Sequence, residues 1–196
     1  MNVSLKKVLW SLSFLVCLIL PTNAEENYAF GGAKIFNYGI ESSDLQAINT
    51  SLVNLGFSSS TSETDNTGVG FEIGAGITIA EGFALEGSFV NYGTLEITTT
   101  TTGPAENIKT EISGDGIAFG GALNLDGLLL RAGMHSWDFE GKVTASLGTS
   151  SESLGTGTDP YFGIGYISDN FYTTFDYYGI EDGDITSLSI GYSAQF

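Results

Sequence analysis

From residue 27 to residue 196, apolar and polar residues alternate almost without interruption, the pattern of strands that bury one face. The clearest stretch is GVGFEIGAGITIA, 68–80. Val69, Phe71, Ile73, Ala75, Ile77 and Ile79 make one face, and Gly70, Glu72, Gly74, Gly76 and Thr78 the other. Eight such segments are predicted, at about 27–40, 67–80, 83–96, 112–124, 127–140, 159–168, 171–180 and 185–196. Three of the links between them are tight turns of Gly, Asp and Asn: Ala80-Glu81-Gly82, Asn124-Leu125-Asp126-Gly127 and Ser168-Asp169-Asn170. The links 41–66, 97–111 and 141–158 are long, polar and rich in Ser, Thr and Gly; Glu181-Asp182-Gly183-Asp184 is short. Alternation of the two kinds gathers the tight turns at one end, and an even strand number puts both termini there too. Inside the first long link, apolar residues at 45, 48, 52 and 55 predict a short helix over 44–56, with Ser43 or Asp44 at its start and Gly56 at its end.

Alternation alone leaves open which face is inside. The polar faces consist of Gly, Ser and Thr, not the Lys and Glu of a solvated strand surface, and small residues suit the crowded lumen of an eight-stranded barrel. Aromatic residues fall near strand ends (Phe30, Phe83, Tyr92, Phe139, Tyr161, Phe162, Phe171, Tyr177 and Tyr178), as in interfacial girdles. Segments of this length match a tilted crossing of the hydrocarbon layer, and a closed barrel leaves no backbone group unpaired in lipid. The expected fold is therefore an all-β, eight-stranded antiparallel up-and-down transmembrane β-barrel with a short helix in its first long loop. A water-soluble, lipocalin-type barrel is the competing reading of the same alternation.

The first 24 residues read differently. Lys6 and Lys7 precede a mainly apolar run from Val8 to Leu20, Pro21 ends it, and Thr22-Asn23-Ala24 supplies small or neutral residues. That is the layout of a secretory signal peptide cleaved after Ala24, and the run is too short for an anchoring helix. Residues 25–196 then form the barrel. They contain no cysteine, so disulfides do not hold it. Once Lys6 and Lys7 are removed, the formal charge of −17 becomes −19, which excludes nucleic acid as a partner. The acids lack the D-x-D-x-D-G spacing of a calcium loop, and one histidine without cysteine offers no transition-metal site, so neither metal nor cofactor is expected.

A few charges fall on inward faces. Outward Ile77 and Leu85 turn Glu72 and Glu86 in; outward Leu130 and Met134 turn Arg131, His135 and Trp137 in; outward Phe175 turns Tyr172, Thr174 and Asp176 in. Counted from the tight turns at about 3.3 Å per residue, Glu86, Arg131 and Asp176 share one layer, with Glu72 about one layer higher. The expectation is that Arg131 bridges Glu86 and Asp176, since a lone carboxylate there costs several kcal/mol. His135 is inward while Asp138 is on the opposite face, so no catalytic triad is expected.

With GVGFEIGAGITIAEGFALEGSF at 68–89, LLLRAGMHSW at 128–137 and PYFGIGYISDNFYTTFDYYGIEDGDITSLSIGYSAQF at 160–196, the chain resembles the OmpA-like family of eight-stranded outer-membrane barrels, which includes the opacity-type proteins. The resemblance implies an inward basic residue on the fifth strand facing acids on the third and seventh, places occupied by Arg131, Glu86 and Asp176. It implies that Leu188, Ile190, Tyr192, Ala194 and Phe196 form an assembly signal read by the outer-membrane assembly machinery. Thr174 stands where some relatives place a second basic residue, which leaves the lumen cluster net acidic. No peptidoglycan-binding domain follows the last segment, so a wall-tethering role does not carry over.

The expected function is that of a non-enzymatic, monomeric barrel in the outer membrane of a Gram-negative envelope, with both termini periplasmic. It would contact lipid and lipopolysaccharide and use acidic extracellular loops for envelope structure or adhesin-like surface interaction. A narrow, gated small-solute pore is the alternative. The extracellular partner is not legible in the sequence.

Overall fold

The computed structural model describes residues 27–103, 105–180 and 183–196; the expected leader, 1–24, lies outside them, as do Glu181 and Asp182 of the last link. The strands are β1 (Tyr28–Asn37), β2 (Ser59–Thr64), β3 (Thr67–Ala80), β4 (Phe83–Thr102), β5 (Glu106–Leu125), β6 (Leu128–Ala145), β7 (Gly148–Ser168), β8 (Phe171–Ile180) and β9 (Gly183–Gln195), with one helix, α1 (Ser42–Asn54), between β1 and β2. Eight of the strands close an antiparallel ring in the order β1-β3-β4-β5-β6-β7-β8-β9, with β9 paired back to β1. The ring is the up-and-down barrel that the alternation predicts. β2 lies outside it, paired to β4 from Ser59↔Thr102 to Thr64↔Ile97.

The tight turns sit together at one end. Asp126 (φ 51°) with Gly127 (φ 97°) supplies the two positive φ angles that a two-residue hairpin needs. Neighbouring turns are stitched by backbone hydrogen bonds, Asn124 N to Gly82 O (2.7 Å) and Ile167 N to Gly127 O (2.8 Å).

At the other end the outcome differs from the sequence reading. The links 97–111 and 141–158 are not loops. β4 runs on to Thr102 and returns as β5 from Glu106, and β6 runs on to Ala145 and returns as β7 from Gly148. Five consecutive threonines, 98–102, favour extended backbone and pair on both sides, so the polar composition marks water and not irregular structure. With β2 added, these strands make a wall on one side of the barrel. β4 and β5 have 20 residues each and β7 has 21, whereas β1 and β8 have 10. A tilted strand crosses the hydrocarbon in about 9–11 residues, so only the long strands project beyond it.

α1 packs on β2 at the wall. Asn49 Oδ1 accepts from the Ser60 and Ser62 hydroxyls at 2.9 Å each, and no residue of the helix is fully buried. The helix starts two residues earlier than predicted because Glu41 is its cap, with the Glu41 N–H donating to Asp44 Oδ2 (2.9 Å). Gly56 (φ 108°) follows its end, as the sequence suggests.

The outside of the ring carries a continuous apolar belt. Val69, Ile73, Ile117, Phe162, Phe175 and Ile190 face outward and are more than half exposed, Val69 to 74 %. Such a belt on a closed ladder is a lipid-facing surface, and the fold is a transmembrane barrel. Above it a bulge reverses the sides. The β4–β5 register breaks between Asn91 and Thr94, where Gly93 takes φ 77° against the Val69 carbonyl. Below the bulge Phe83, Leu85 and Phe89 lie on the outward face of β4; above it Leu95 and Ile97 point inward and are buried, while Thr94, Glu96, Thr98 and Thr100 are exposed.

Candidate functional site: the plugged lumen and the wall

Aromatic packing fills the lumen at one level and ion pairs at another. Both depend on glycines in the neighbouring strands. A Cβ on Gly163 would come within 2.2 Å of Asp176 Oδ1, one on Gly157 within 2.5 Å of the Trp137 ring, and one on Gly116 within 3.0 Å of the Tyr92 hydroxyl. Glycine lets each large or charged side chain lie flat across the wall of a narrow barrel.

The structure places Glu72, Glu86, Arg131 and Asp176 inside, each at most 5 % exposed. The pairing is wider than the one expected. Arg131 forms ion pairs with both Glu86 and Asp176, but it also holds Glu72, expected one layer higher, more closely than Asp176. Its Nε donates to Glu86 Oε2 (2.8 Å), while Nη1 and Nη2 grip Glu72 at 3.1 and 2.7 Å. Asp176 Oδ1 stands 3.9 Å from Nη1, too far for a hydrogen bond. Counting residues from the turns ignores the shear of tilted strands, which brings Glu72 level with Arg131.

Asp176 is held by Lys34, which the sequence reading missed. Lys34 Nζ lies 2.6 Å from Asp176 Oδ2, 2.9 Å from Glu72 Oε2 and 2.9 Å from the Tyr178 hydroxyl. Its parity with Phe30 and Phe36 was the available signal, but β1 is apolar on both faces there, so alternation did not expose it. Hydroxyls complete the network: Tyr28 donates to Glu86 (2.6 Å), Ser88 to Glu72 (2.7 Å) and Thr174 to Asp176 (2.7 Å). Lys34 thus supplies the second cation absent at Thr174. Three carboxylates facing two cations still leave an excess of one negative charge.

Next to the ions lies a cluster of Phe36, Tyr92, Trp137, Phe139, Tyr161, Tyr178 and Ile185. Phe30, Tyr92, Phe139, Tyr161 and Tyr178 therefore belong to the interior and not to an interfacial girdle; of the aromatic residues assigned to the girdle, Phe83, Phe162, Phe171 and Tyr177 face outward. Large buried side chains contribute about 1.5–3 kcal/mol each. His135 is fully buried among these rings. The Gly179 carbonyl, 2.7 Å from Nε2, can only accept, so Nε2 carries a proton and Nδ1 faces the Tyr92 hydroxyl at 2.6 Å. Both nitrogens are used to hold strands together. Among the described residues no group of three or more His, Cys, Asp or Glu could hold a metal ion.

The remaining expected positions lie on β9 and just past it. Leu188, Ile190, Tyr192, Ala194 and Phe196 all face out, and β9 pairs with β1 from Thr186↔Asn37 to Gln195↔Tyr28. The wall is polar on its outer face. Lys109 pairs with Glu96 (2.7 Å) and Glu111 (3.1 Å), and Lys142 with Glu111 (3.5 Å), across β4, β5 and β6. At the tips, Glu106 Oε1 accepts from the Ser146 backbone N–H (2.7 Å) and from its hydroxyl, tying one hairpin to the next. Those hydrogen bonds, the hydroxyl's first, hold the Glu106 carboxyl below the usual carboxylate range.

No family model matches the chain, and no curated protein matches it. Solved structures do. That of Ail, the attachment invasion locus protein of Yersinia pestis, in complex with the heparin analogue sucrose octasulfate, superposes with a TM-score of 0.54 at 13 % identity, covering 88 % of this chain and 99 % of that one. A second Ail structure gives 0.53 at 12 % identity, covering 87 % and 98 %. The likeness is one of architecture: the fold is that of an eight-stranded outer-membrane barrel.

Proposed function

We propose that the chain is a non-enzymatic integral protein of the outer membrane whose projecting wall makes contacts at the cell surface, in the manner of an adhesin. One observation carries this reading: β4 to β7 continue as ordered, polar strands well beyond the apolar belt, on one side only. An anchor alone needs no such extension. Ail, an attachment invasion locus protein, supports the same reading through a shared architecture. The tight-turn end and the termini face the periplasm, the barrel is a monomer in contact with lipid and lipopolysaccharide, and the outward stripe of Leu188, Ile190, Tyr192, Ala194 and Phe196 serves as the assembly signal. A leader cleaved after Ala24 delivers the chain to the envelope.

The test is to shorten both hairpins of the wall to the level of the belt, joining β4 to β5 and β6 to β7 by two-residue turns. Cells displaying the shortened barrel at equal surface density should lose adhesion to host cells or matrix. Undiminished adhesion would overturn the reading. A narrow pore is the second reading, favoured by a cavity of about 320 Å³ that reaches Glu86 and Arg131 from the turn end. For it, Arg131→Ala should raise single-channel conductance above the wild type.

A further inference from the structure

A lysine and an aspartate meet in the lumen, sealed from solvent. Lys34 Nζ lies 2.6 Å from Asp176 Oδ2, both side chains are 0 % exposed, and Glu72 Oε2 stands 2.9 Å from the same nitrogen. The aspartate uses its two oxygens unequally. Oδ2 accepts from Lys34 and from the Thr174 hydroxyl (2.7 Å), whereas Oδ1 has no hydrogen-bond partner among the described residues and lies 3.9 Å from Arg131 Nη1. A buried carboxylate kept only for its charge is expected to satisfy both oxygens. One bare oxygen beside one crowded by donors is the pattern of a carbonyl beside a leaving oxygen. The carbon between them is a single C–O bond, about 1.2 Å, beyond an oxygen that Nζ already touches. Nucleophile and carbon thus stand near the attack range of about 3–3.5 Å.

We propose that Lys34 and Asp176 condense within the folded barrel to an intramolecular isopeptide bond, with Glu72 relaying the protons. Glu72 takes one proton from the Lys34 ammonium, and the neutral amine attacks Asp176 Cγ. Arg131 Nη1 faces the charge that develops on Oδ1. Nζ then gives up a second proton. Both protons end on Oδ2, the Cγ–Oδ2 bond breaks and water leaves. An ammonium and a carboxylate become an amide and one water, so atoms and charge balance without an oxidant, a reductant or another reactant. The lumen favours the product, because a buried ion pair bears the desolvation of two charges and an amide bears none. Glu72 and Glu86 keep their pairs with Arg131.

The position gives the bond a purpose. β1 and β8 flank β9 on its two sides. Lys34 and Thr174 both stand opposite Ser189, a small buried residue over which the lysine reaches. A link from Lys34 to Asp176 would clamp the closing strand from both edges, in a chain whose residues 25–196 contain no cysteine. Like a disulfide closing a long loop, it would restrict the unfolded chain.

The test is mass spectrometry before and after folding. Chain purified unfolded in urea should carry the full mass of its sequence, and the same chain folded into detergent should weigh one water less. Trypsin should then release fragment 143–196, which holds Asp176, joined through Lys34 to a fragment ending at Lys109, since an amide-bonded Lys34 is no longer cleaved. Lys34→Arg keeps the cation without the nucleophile and should fold at full mass. Glu72→Gln should slow the water loss by about tenfold or more. Thr174→Val, which leaves the Arg131–Glu72 pair intact, should slow it about threefold and covers the case in which Glu72→Gln does not fold. Full mass in the folded wild type after prolonged incubation would overturn the proposal. So would water lost without the joined fragment, as from an aspartate–glycine succinimide, or an unchanged rate in both slowed variants.

Discussion

The lower and upper halves of the same strands solve opposite problems. Within the belt, β4 turns Phe89 to lipid and keeps Glu86 and Ser88 in the lumen; beyond Gly93 it turns Glu96 and Thr98 to water and buries Leu95 and Ile97. One bulged residue makes the exchange, because a shift of one position sends every later side chain to the other face. Ion pairs divide in the same way. The lumenal pairs are at most 5 % exposed, so losing one partner strands a charge in low dielectric, whereas Lys109 and Lys142 on the wall keep water as an alternative partner. Composition alone therefore says little about what a residue contributes; its height on the barrel decides.

The largest contrast is expected from removing a basic residue in each half. Arg131→Ala leaves Glu72 and Glu86 facing each other and should cost about 3–5 kcal/mol in urea unfolding from detergent or lipid. Lys142→Ala should leave the same unfolding curve unmoved, and equal effects would break the distinction. Next in size is a charge placed on the outer surface. Ile73→Lys, in the belt, should cost about 2–4 kcal/mol in bilayers, whereas Thr98→Lys on the wall should be close to neutral.

A smaller effect isolates the role of glycine. Gly163→Ala must displace Asp176, whose Oδ1 the new methyl would meet at 2.2 Å, at a cost of about 1–3 kcal/mol, while Gly183→Ala, with open space around it, should be silent. The smallest effect is a pH dependence of the wall tips. The Glu106 carboxyl is depressed, so its contact with Ser146 is intact above the ordinary glutamate value of about 4.3 and is lost as pH falls below it through the folded value. The Ser146 amide resonance should titrate in that acid range while amides of the lower barrel stay fixed, and Glu106→Gln should abolish the titration.

Much of this architecture can be read from the sequence because lipid enforces a strict period of two. The belt, the tight turns and the inward placement of Glu72, Glu86, Arg131 and Asp176 all follow from that period. Three features resist it. Lys34 hides in a strand that is apolar on both faces. The strands of the wall read as loops because their outer faces are polar and the bulge at Gly93 breaks the alternation at the place where lipid ends. Finally, the partners chosen by Arg131 depend on the stagger between strands, which no single strand encodes; contact across a lumen is a property of the closed ring.

The ladder between β1 and β9 closes that ring, down to the Phe196 N–H donating to the Asn27 carbonyl at 2.9 Å. From β3 onward each strand pairs with its neighbour in sequence, a set of hairpins that can form as the chain emerges. The β1–β9 seam joins the two ends of the barrel and must wait for both. Its loop-closure entropy falls on a single step, which makes ring closure the natural rate-limiting event of folding and leaves two open edges until it occurs.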